Sequence, residues 1–233
     1  MLLHCKTKCA RLIHRVMSVS TVLTETKISK VYYPSFDAFE AEVHKRIIEN
    51  AISPETYRTP VAALYMLWHG IHRENLSEIR KYDIMDDHIY DPVGQKAYSM
   101  CSSALEFIRA YADSSLTTPD YIRSQYVLRT RVSGHMSEAT IVRAVSRLNI
   151  QMNTPADEGF QMIAVYESGL FSRIWKMQQQ GYEFPVYRKN RRLSDEGLKE
   201  FEALFCRKFA NINYLTAYYR KYQAYIKYFH NKE

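Results

Sequence analysis

Little in this sequence points to a secreted or membrane-spanning protein. Four cysteines stand among 233 residues, at Cys5, Cys9, Cys101 and Cys206. They are too few and too scattered for a disulfide framework, a pattern that suits a reducing, intracellular compartment. Long apolar runs are missing too: none approaches the roughly 18–20 residues that a membrane span needs. The basic opening MLLHCKTKCARLIHRVM has neither the long apolar centre nor the small-residue cleavage site of a secretory signal. Cys5, Cys9 and His14, with His4 close by, are not a zinc knuckle, because zinc sites carry tighter and paired ligand spacings.

What the chain does have is apolar content and charge sorted by region. Hydrophobic residues make up 46% of it, enough for one sizeable domain with its own core. Lys and Arg number 32 against 25 Asp and Glu, a net charge of +7. Residues 1–31 carry six basic residues and one acidic. Residues 121–150 carry Arg123, Arg129, Arg131, Arg143 and Arg147 against Glu138 alone. Residues 173–192 carry Arg173, Lys176, Arg188, Lys189, Arg191 and Arg192 against Glu183. The stretch 74–91 is rich in acids instead, with Glu74, Glu78, Asp83, Asp86, Asp87 and Asp91. Segregation of this kind points to one basic face, and nucleic acid is the commonest polyanion such a face meets. A solvated surface with a chance bias is the plainer alternative.

Residues 1–34 read as a basic, flexible arm, suited to lying along a phosphate backbone or simply disordered. A domain is expected over residues 35–233. Ser35 is a candidate N-cap ahead of Phe36, Phe39, Val43, Ile47 and Ile48 at helical spacing, with Asp37, Glu40 and Glu42 near the positive end of the helix dipole. Ser53-Pro54-Glu55 opens a second helix, which runs into the stretch the rest is arranged around, AALYMLWHGIHRENLSEIRKYDIMDD from Ala62 to Asp87. Ala63, Leu64, Leu67, Trp68 and Ile71 repeat there at three and four residues, the spacing of a buried helical stripe. Gly70 breaks the pattern, Leu76 and Ile79 restart it as a second short helix, and Tyr82-Asp83-Ile84 leads out in extended form. That puts His72, Arg73 and Glu74 at an outward-facing junction. A hairpin follows: His88-Ile89-Tyr90, the turn Asp91-Pro92-Val93-Gly94, then Gln95-Lys96-Ala97-Tyr98.

Ser102-Ser103 opens a helix through Tyr111, and Tyr126 to Arg129 reads as a short strand. Ser137 caps a helix whose stripe is Ile141, Val145 and Leu148. Arg143 and Arg147 share another face of it by their spacing of four. Such a pair suits phosphate contacts, which position a protein without reading sequence, and it equally suits a solvated face. A further helix stops at Gly181, a fitting C-cap. Tyr187-Arg188-Lys189-Asn190-Arg191-Arg192 then forms the densest basic cluster. Ser194 caps a helix carrying Leu198, Phe201, Leu204, Phe205 and Phe209. The last helix begins at about Asn213, with Leu215, Tyr218 or Tyr219, Tyr222, Tyr225 or Ile226, and Phe229 on one stripe.

The run Gly70-Ile71-His72-Arg73-Glu74-Asn75-Leu76, between an apolar helix and a strand, resembles the first active-site box of the tyrosine recombinase (phage integrase) family, Gly-Leu-Arg-x-x-Glu-Leu. His72 stands where the family has its first catalytic arginine, and Asn75 where it has glutamate. Arg73 comes one position late, a rotation of about 100° on a helix. Met136 to Leu148 is similar to the helix before the second box. That box, His-x-x-Arg, belongs within Gln161 to Leu170 and is absent. With Ser168 in the place of the family's threonine, Tyr166 replaces the second arginine and Ile163 the histidine. Lys96 falls close to the family's lysine, which protonates the leaving oxygen. Tyr219 is the nearest positional match to the nucleophile among Tyr214, Tyr218, Tyr219, Tyr222, Tyr225 and Tyr228. A lone lysine after a turn is more often a surface residue, and a tyrosine among aromatics more often a packing one.

The resemblance implies a mainly α fold with a small, three-stranded edge β-sheet (α+β), like the catalytic domain of these DNA breaking-rejoining enzymes. It implies double-stranded DNA as partner, no cofactor or metal, no membrane, a DNA-associated place in the cytoplasm, and homo-oligomers formed through the C-terminal helix. The missing arginines imply a degenerate site, with His72, Arg73, Lys96, Tyr166 and Tyr219 as relic positions. DNA contacts are then expected from Arg143, Arg147, Arg188, Lys189, Arg191 and Arg192. The expected function is DNA binding by a phage or mobile-element regulator that acts by occupancy, similar to the integrase-like regulators of temperate phages. The alternative is an active recombinase performing site-specific strand transfer through a C-terminal tyrosine.

Overall fold

The computed structural model describes residue 28 and residues 30–113, 124–130, 134–186, 192–205 and 211–230. The chain divides into two compact units, one of residues 29–182 and one of residues 183–233 together with 1–28.

The first unit begins with helix α1 (Phe36–Glu49), where Ser35 Oγ accepts from the Ala38 N–H as the N-cap. Phe36, Phe39 and Val43 are buried, but Ile48, expected on the same stripe, is exposed. Helix α2 (Pro54–Trp68) follows, and every residue from Pro60 to Trp68 is buried. A helix that is apolar all round belongs inside a core, and α2 packs against the helices Phe36–Glu49, Ser102–Asp113, Glu138–Gln151 and Met162–Gln179. Phe39 stacks on Trp68 with centroids 5.3 Å apart, and Phe39 meets Phe160 edge-on at 5.9 Å. Ahead of α1, residues 30–33 are also packed: the Tyr32 hydroxyl donates to buried Glu167, and the Tyr33 N–H to Ser168 Oγ.

After α2 come two 3-10 helices, Arg73–Glu78 and Lys81–Asp83. The second corrects the extended reading of Tyr82 to Ile84. Asp83 turns its carboxylate back to accept from the Arg80 N–H at 2.8 Å, which closes a turn where the apolar pattern alone gave a strand. Among the described residues the sheet is accordingly two-stranded, not three-stranded. Strand β1 (His88–Asp91) pairs antiparallel with β2 (Lys96–Ser99), and the third strand is reduced to a single bridge, Ile84 to Ile89. Tyr126 likewise makes one bridge, with Arg80, rather than a strand.

The hairpin turn is fixed by Asp91. One of its oxygens accepts from the N–H groups of Val93 and Gly94, each at 2.9 Å. The other accepts from the Asn75 side-chain amide at 2.7 Å. A Cβ on Gly94 would lie 2.6 Å from that carboxylate, so the turn needs glycine there.

Helices α3 (Ser102–Asp113), α4 (Glu138–Gln151) and α5 (Met162–Gln179) follow among the described residues of the unit. Ile141, Val145 and Leu148 bury the inner face of α4, and Ser137 caps it. Gly181, with φ +92°, follows the end of α5. At Gly169 the backbone of α5 comes so close to the Trp68 carbonyl that any Cβ there would overlap it. This small residue sets the distance between the two central helices.

In the second unit, Ser194 caps helix α6 (Asp195–Ala203), accepting from the Gly197 N–H and donating to the Pro185 carbonyl. Helix α7 (Ile212–Phe229) starts at Asn211, whose side chain accepts from Asn213 and Tyr214. Phe184, Phe201, Tyr219 and Tyr222 pack ring against ring between them.

Candidate functional site

The site is built where α2 ends. Gly70 has φ +104°, a left-handed conformation that an L side chain adopts only with strain. It turns the chain so that His72 begins the first 3-10 helix in extended backbone. The His72 ring meets that of Tyr166 on α5, with centroids 5.1 Å apart and planes at 62°. Two positions 94 residues apart in sequence, both relic positions in the sequence reading, therefore face each other.

Arg73 takes another direction. Its Nε pairs with Glu138 Oε1 at 2.6 Å, which ties the 3-10 helix to the first turn of α4. Asn75 is spent on Asp91, as described. Lys96 is exposed on β2, with its ammonium 5.3 Å from the ring centre of Tyr98. The Tyr98 ring in turn reaches Gly70: a Cβ built there would stand 3.2 Å from it.

The same Cβ would stand 2.9 Å from Arg173 Nη2. Arg173, half-buried on α5, donates its Nη1 to the Trp68 carbonyl at 2.7 Å, one of the last carbonyls of α2. The sequence reading counted Arg173 only as one cation in a basic segment. Its spacing from Tyr166 was the available signal, since seven residues on a helix return to the same face, about 10 Å further along. His69 lies beside this guanidinium. Its Nε2 accepts from the Cys101 N–H at 3.2 Å, so the proton sits on Nδ1, which donates to the Tyr65 carbonyl at 2.8 Å. Burial pushes its pKa down to about 4, outweighing the upward pull of the Tyr65 carbonyl, with a smaller lowering from the positive charge of Arg173. His69 is thus a neutral histidine that ties α2 to the segment leading into α3.

Tyr219 lies in the second unit. Its ring sits 5.3 Å from Phe201 and 6.5 Å from Phe184. Burial raises its pKa, outweighing the lowering by a hydrogen bond with Gln223, so the surroundings oppose the phenolate that a nucleophile needs. Of the expected DNA contacts, Arg143 and Arg147 are exposed on α4, nearly opposite its buried stripe. Arg192 is exposed as well. Arg188, Lys189 and Arg191 lie outside the described residues, although the flanking residues Val186 and Leu193 bridge each other. Arg129, counted among the basic-face residues, is 2% exposed. Its guanidinium donates to the carbonyls of Tyr111, at the end of α3, and Tyr126, at 3.3 and 3.4 Å. It is a core residue rather than a surface cation.

A mainly helical unit with a two-stranded sheet at its edge, packed around a central apolar helix, is a recombinase catalytic-domain-like fold. Among solved structures the chain is similar to that titled "Crystal structure of XerA recombinase", with a TM-score of 0.50 and 14% sequence identity. The likeness covers 85% of this chain and 63% of that one, so the chain spans less than two thirds of that structure. No family model matches, and no curated protein matches. None of the described helices is long and apolar enough to cross a membrane.

Proposed function

We propose that this protein binds double-stranded DNA through its recombinase-type fold without cutting it, and acts as a phage or mobile-element regulator by occupying its site. The observation that carries this reading is the meeting of His72 and Tyr166. In the resemblance these two positions correspond to the arginine pair, which stabilises the extra negative charge of a pentavalent phosphorane through permanently charged, bidentate donors. A phenol is neutral, and an imidazole of ordinary pKa is mostly neutral at pH 7. Losing one preorganised donor from such a site costs on the order of 10²–10³ in rate, and here two are replaced. The half-buried setting of Tyr219, which raises its pKa, points the same way. Binding needs none of this. Arg143 and Arg147, which no ion pair among the described residues ties down, together with Arg188, Lys189, Arg191 and Arg192, supply the phosphate contacts. Exposed Ile212 and Tyr214 at the start of α7 offer an apolar surface for association between copies.

Anisotropy titrations of duplex DNA at several salt concentrations test the reading. Affinity is expected to fall steeply and linearly on a log–log plot as salt rises. Undetectable binding, or binding indifferent to salt, defeats it. A nicked suicide duplex distinguishes the active-enzyme alternative: a covalent adduct on a C-terminal tyrosine would establish strand transfer and overturn the occupancy reading.

A further inference from the structure

We infer that Tyr82 and Arg80 form a stacking site for an unpaired nucleobase of single-stranded DNA. The inference rests on the DNA-binding reading above, which supplies the phosphate contacts, and adds a second mode of contact to them. Flat side chains run in a row along one edge of the first unit. The Arg80 guanidinium carbon lies 5.6 Å from the ring centre of Tyr82 and 5.7 Å from that of Tyr126. The Tyr126 ring then meets His135 edge-on at 4.6 Å, and His135 Nε2 stands 3.1 Å from Glu78 Oε1. His135 comes just ahead of Ser137, the N-cap of α4, so the row ends at the root of the helix that carries Arg143 and Arg147.

The row is fixed from beneath. The Lys81 N–H donates to the Gln125 carbonyl at 2.7 Å and the Val127 N–H to the Ile79 carbonyl at 2.9 Å, which fastens the two chain segments together on either side of Arg80. Buried Asp83 closes the 3-10 turn by accepting from the Arg80 N–H. Tyr82, on that rigid turn, is nevertheless 58% exposed. Its hydroxyl accepts from Arg80 Nη1, so a flat face laid on the ring buries carbon and leaves that bond in place. A tyrosine held in one orientation with a cation at its edge offers a large π face at low ordering cost, which is what stacking a base requires. The surroundings select an unpaired base over a duplex. Asp86 and Asp87 are exposed close by, the first 3.5 Å from Arg109 and the second 2.6 Å from His88. Their charge opposes the two phosphate rails of a duplex laid against Tyr82, and the bases of a duplex are already stacked on one another. A single strand can turn a base onto the ring and keep its backbone away from the carboxylates. A free nucleotide shares that chemistry, so both sources belong in the test.

Tyr82→Ala, Tyr82→Leu and Tyr82→Phe are compared with the unmodified protein in anisotropy titrations of oligodeoxythymidylate, which does not self-pair, and of a duplex, each across salt and with thermal melts alongside. Tyr82→Ala is expected to weaken binding of the single strand roughly 5- to 100-fold, the worth of one stacked base. The log–log salt slope should stay as it was, because no phosphate contact is lost. Tyr82→Phe keeps the ring and should keep most of the affinity, whereas Tyr82→Leu keeps apolar bulk without a π face and should bind about as weakly as Tyr82→Ala. Duplex affinity should be the same in all four proteins. Single-strand binding by Tyr82→Ala as tight as that of the unmodified protein overturns the inference, and so does an equal loss on the duplex. If Tyr82→Ala does not fold, Tyr82→Leu carries the test, and undiminished binding by it overturns the inference. Duplex binding without any single-strand binding defeats this inference and leaves the DNA reading standing. Absence of salt-dependent binding to either defeats both. Thymidine monophosphate that displaces the oligonucleotide at an equal concentration of nucleotide would assign the site to a free nucleotide and overturn the single-strand reading.

Discussion

Arg129 and the Arg143–Arg147 pair lie within 20 residues of one another in the same basic stretch, and the fold uses them in opposite ways. Arg129 is enclosed, its guanidinium satisfying carbonyls at the end of α3 and beside Tyr126. Arg143 and Arg147 project from the outer face of α4. A run of positive charge in a sequence is therefore not yet a basic face. Each cation must first be asked whether the backbone needs it, because a buried carbonyl without a donor costs about as much as a lost hydrogen bond.

The largest effect is expected from Arg129→Ala. It removes two donors, leaving two carbonyls unsatisfied at about 1–3 kcal/mol each, and opens a cavity beside Tyr111, so chemical denaturation should show a loss of about 3–5 kcal/mol. A loss under 1 kcal/mol would mean that the guanidinium is dispensable and the contrast false.

A second buried base, His69, gives an intermediate effect with a set direction. Its folded pKa, about 4, lies below the ordinary value of 6.5. The unfolded chain therefore binds the extra proton first, and the stability this group contributes is full above about pH 6.5 and is lost as pH falls toward 4. Urea midpoints taken between those limits should report a decline on the order of 2–3 kcal/mol. His69→Gln should flatten that part of the profile.

The smallest effect on stability belongs to the double variant Arg143→Gln/Arg147→Gln. Its unfolding free energy should stay within about 0.5 kcal/mol of the original, while the salt slope for duplex DNA falls by about 2. A large stability loss with an unchanged slope would place these two in the same category as Arg129.

Much of the fold was legible because it is local. Ser35, Ser137 and Ser194 cap the helices their sequence context announced, and their side chains accept the expected N–H groups. The apolar stripe of α2 read as buried and is buried, and the residues between its members are buried with it. The missing pieces depend on partners far along the chain. Nothing near Arg129 signals that Tyr111 will present a carbonyl to it. The Asp83 cap was local, yet it was hidden behind an apolar alternation that suited a strand equally well. Within the site, the likeness to the first recombinase box drew attention to His72 and Arg73. The guanidinium beside Gly70 came instead from Arg173, whose place follows from the crossing of two helices at Gly169.

The bond between Asn75 and Asp91 has a consequence for how this chain can change. A glutamate at position 75, the residue of the recombinase box, would set one carboxylate against another that is fully enclosed and already accepts two backbone N–H groups. No single substitution at 75 restores an acid there without like-charge repulsion at the root of the hairpin. The two positions are coupled, and an acid at 75 is accommodated only if Asp91 changes with it.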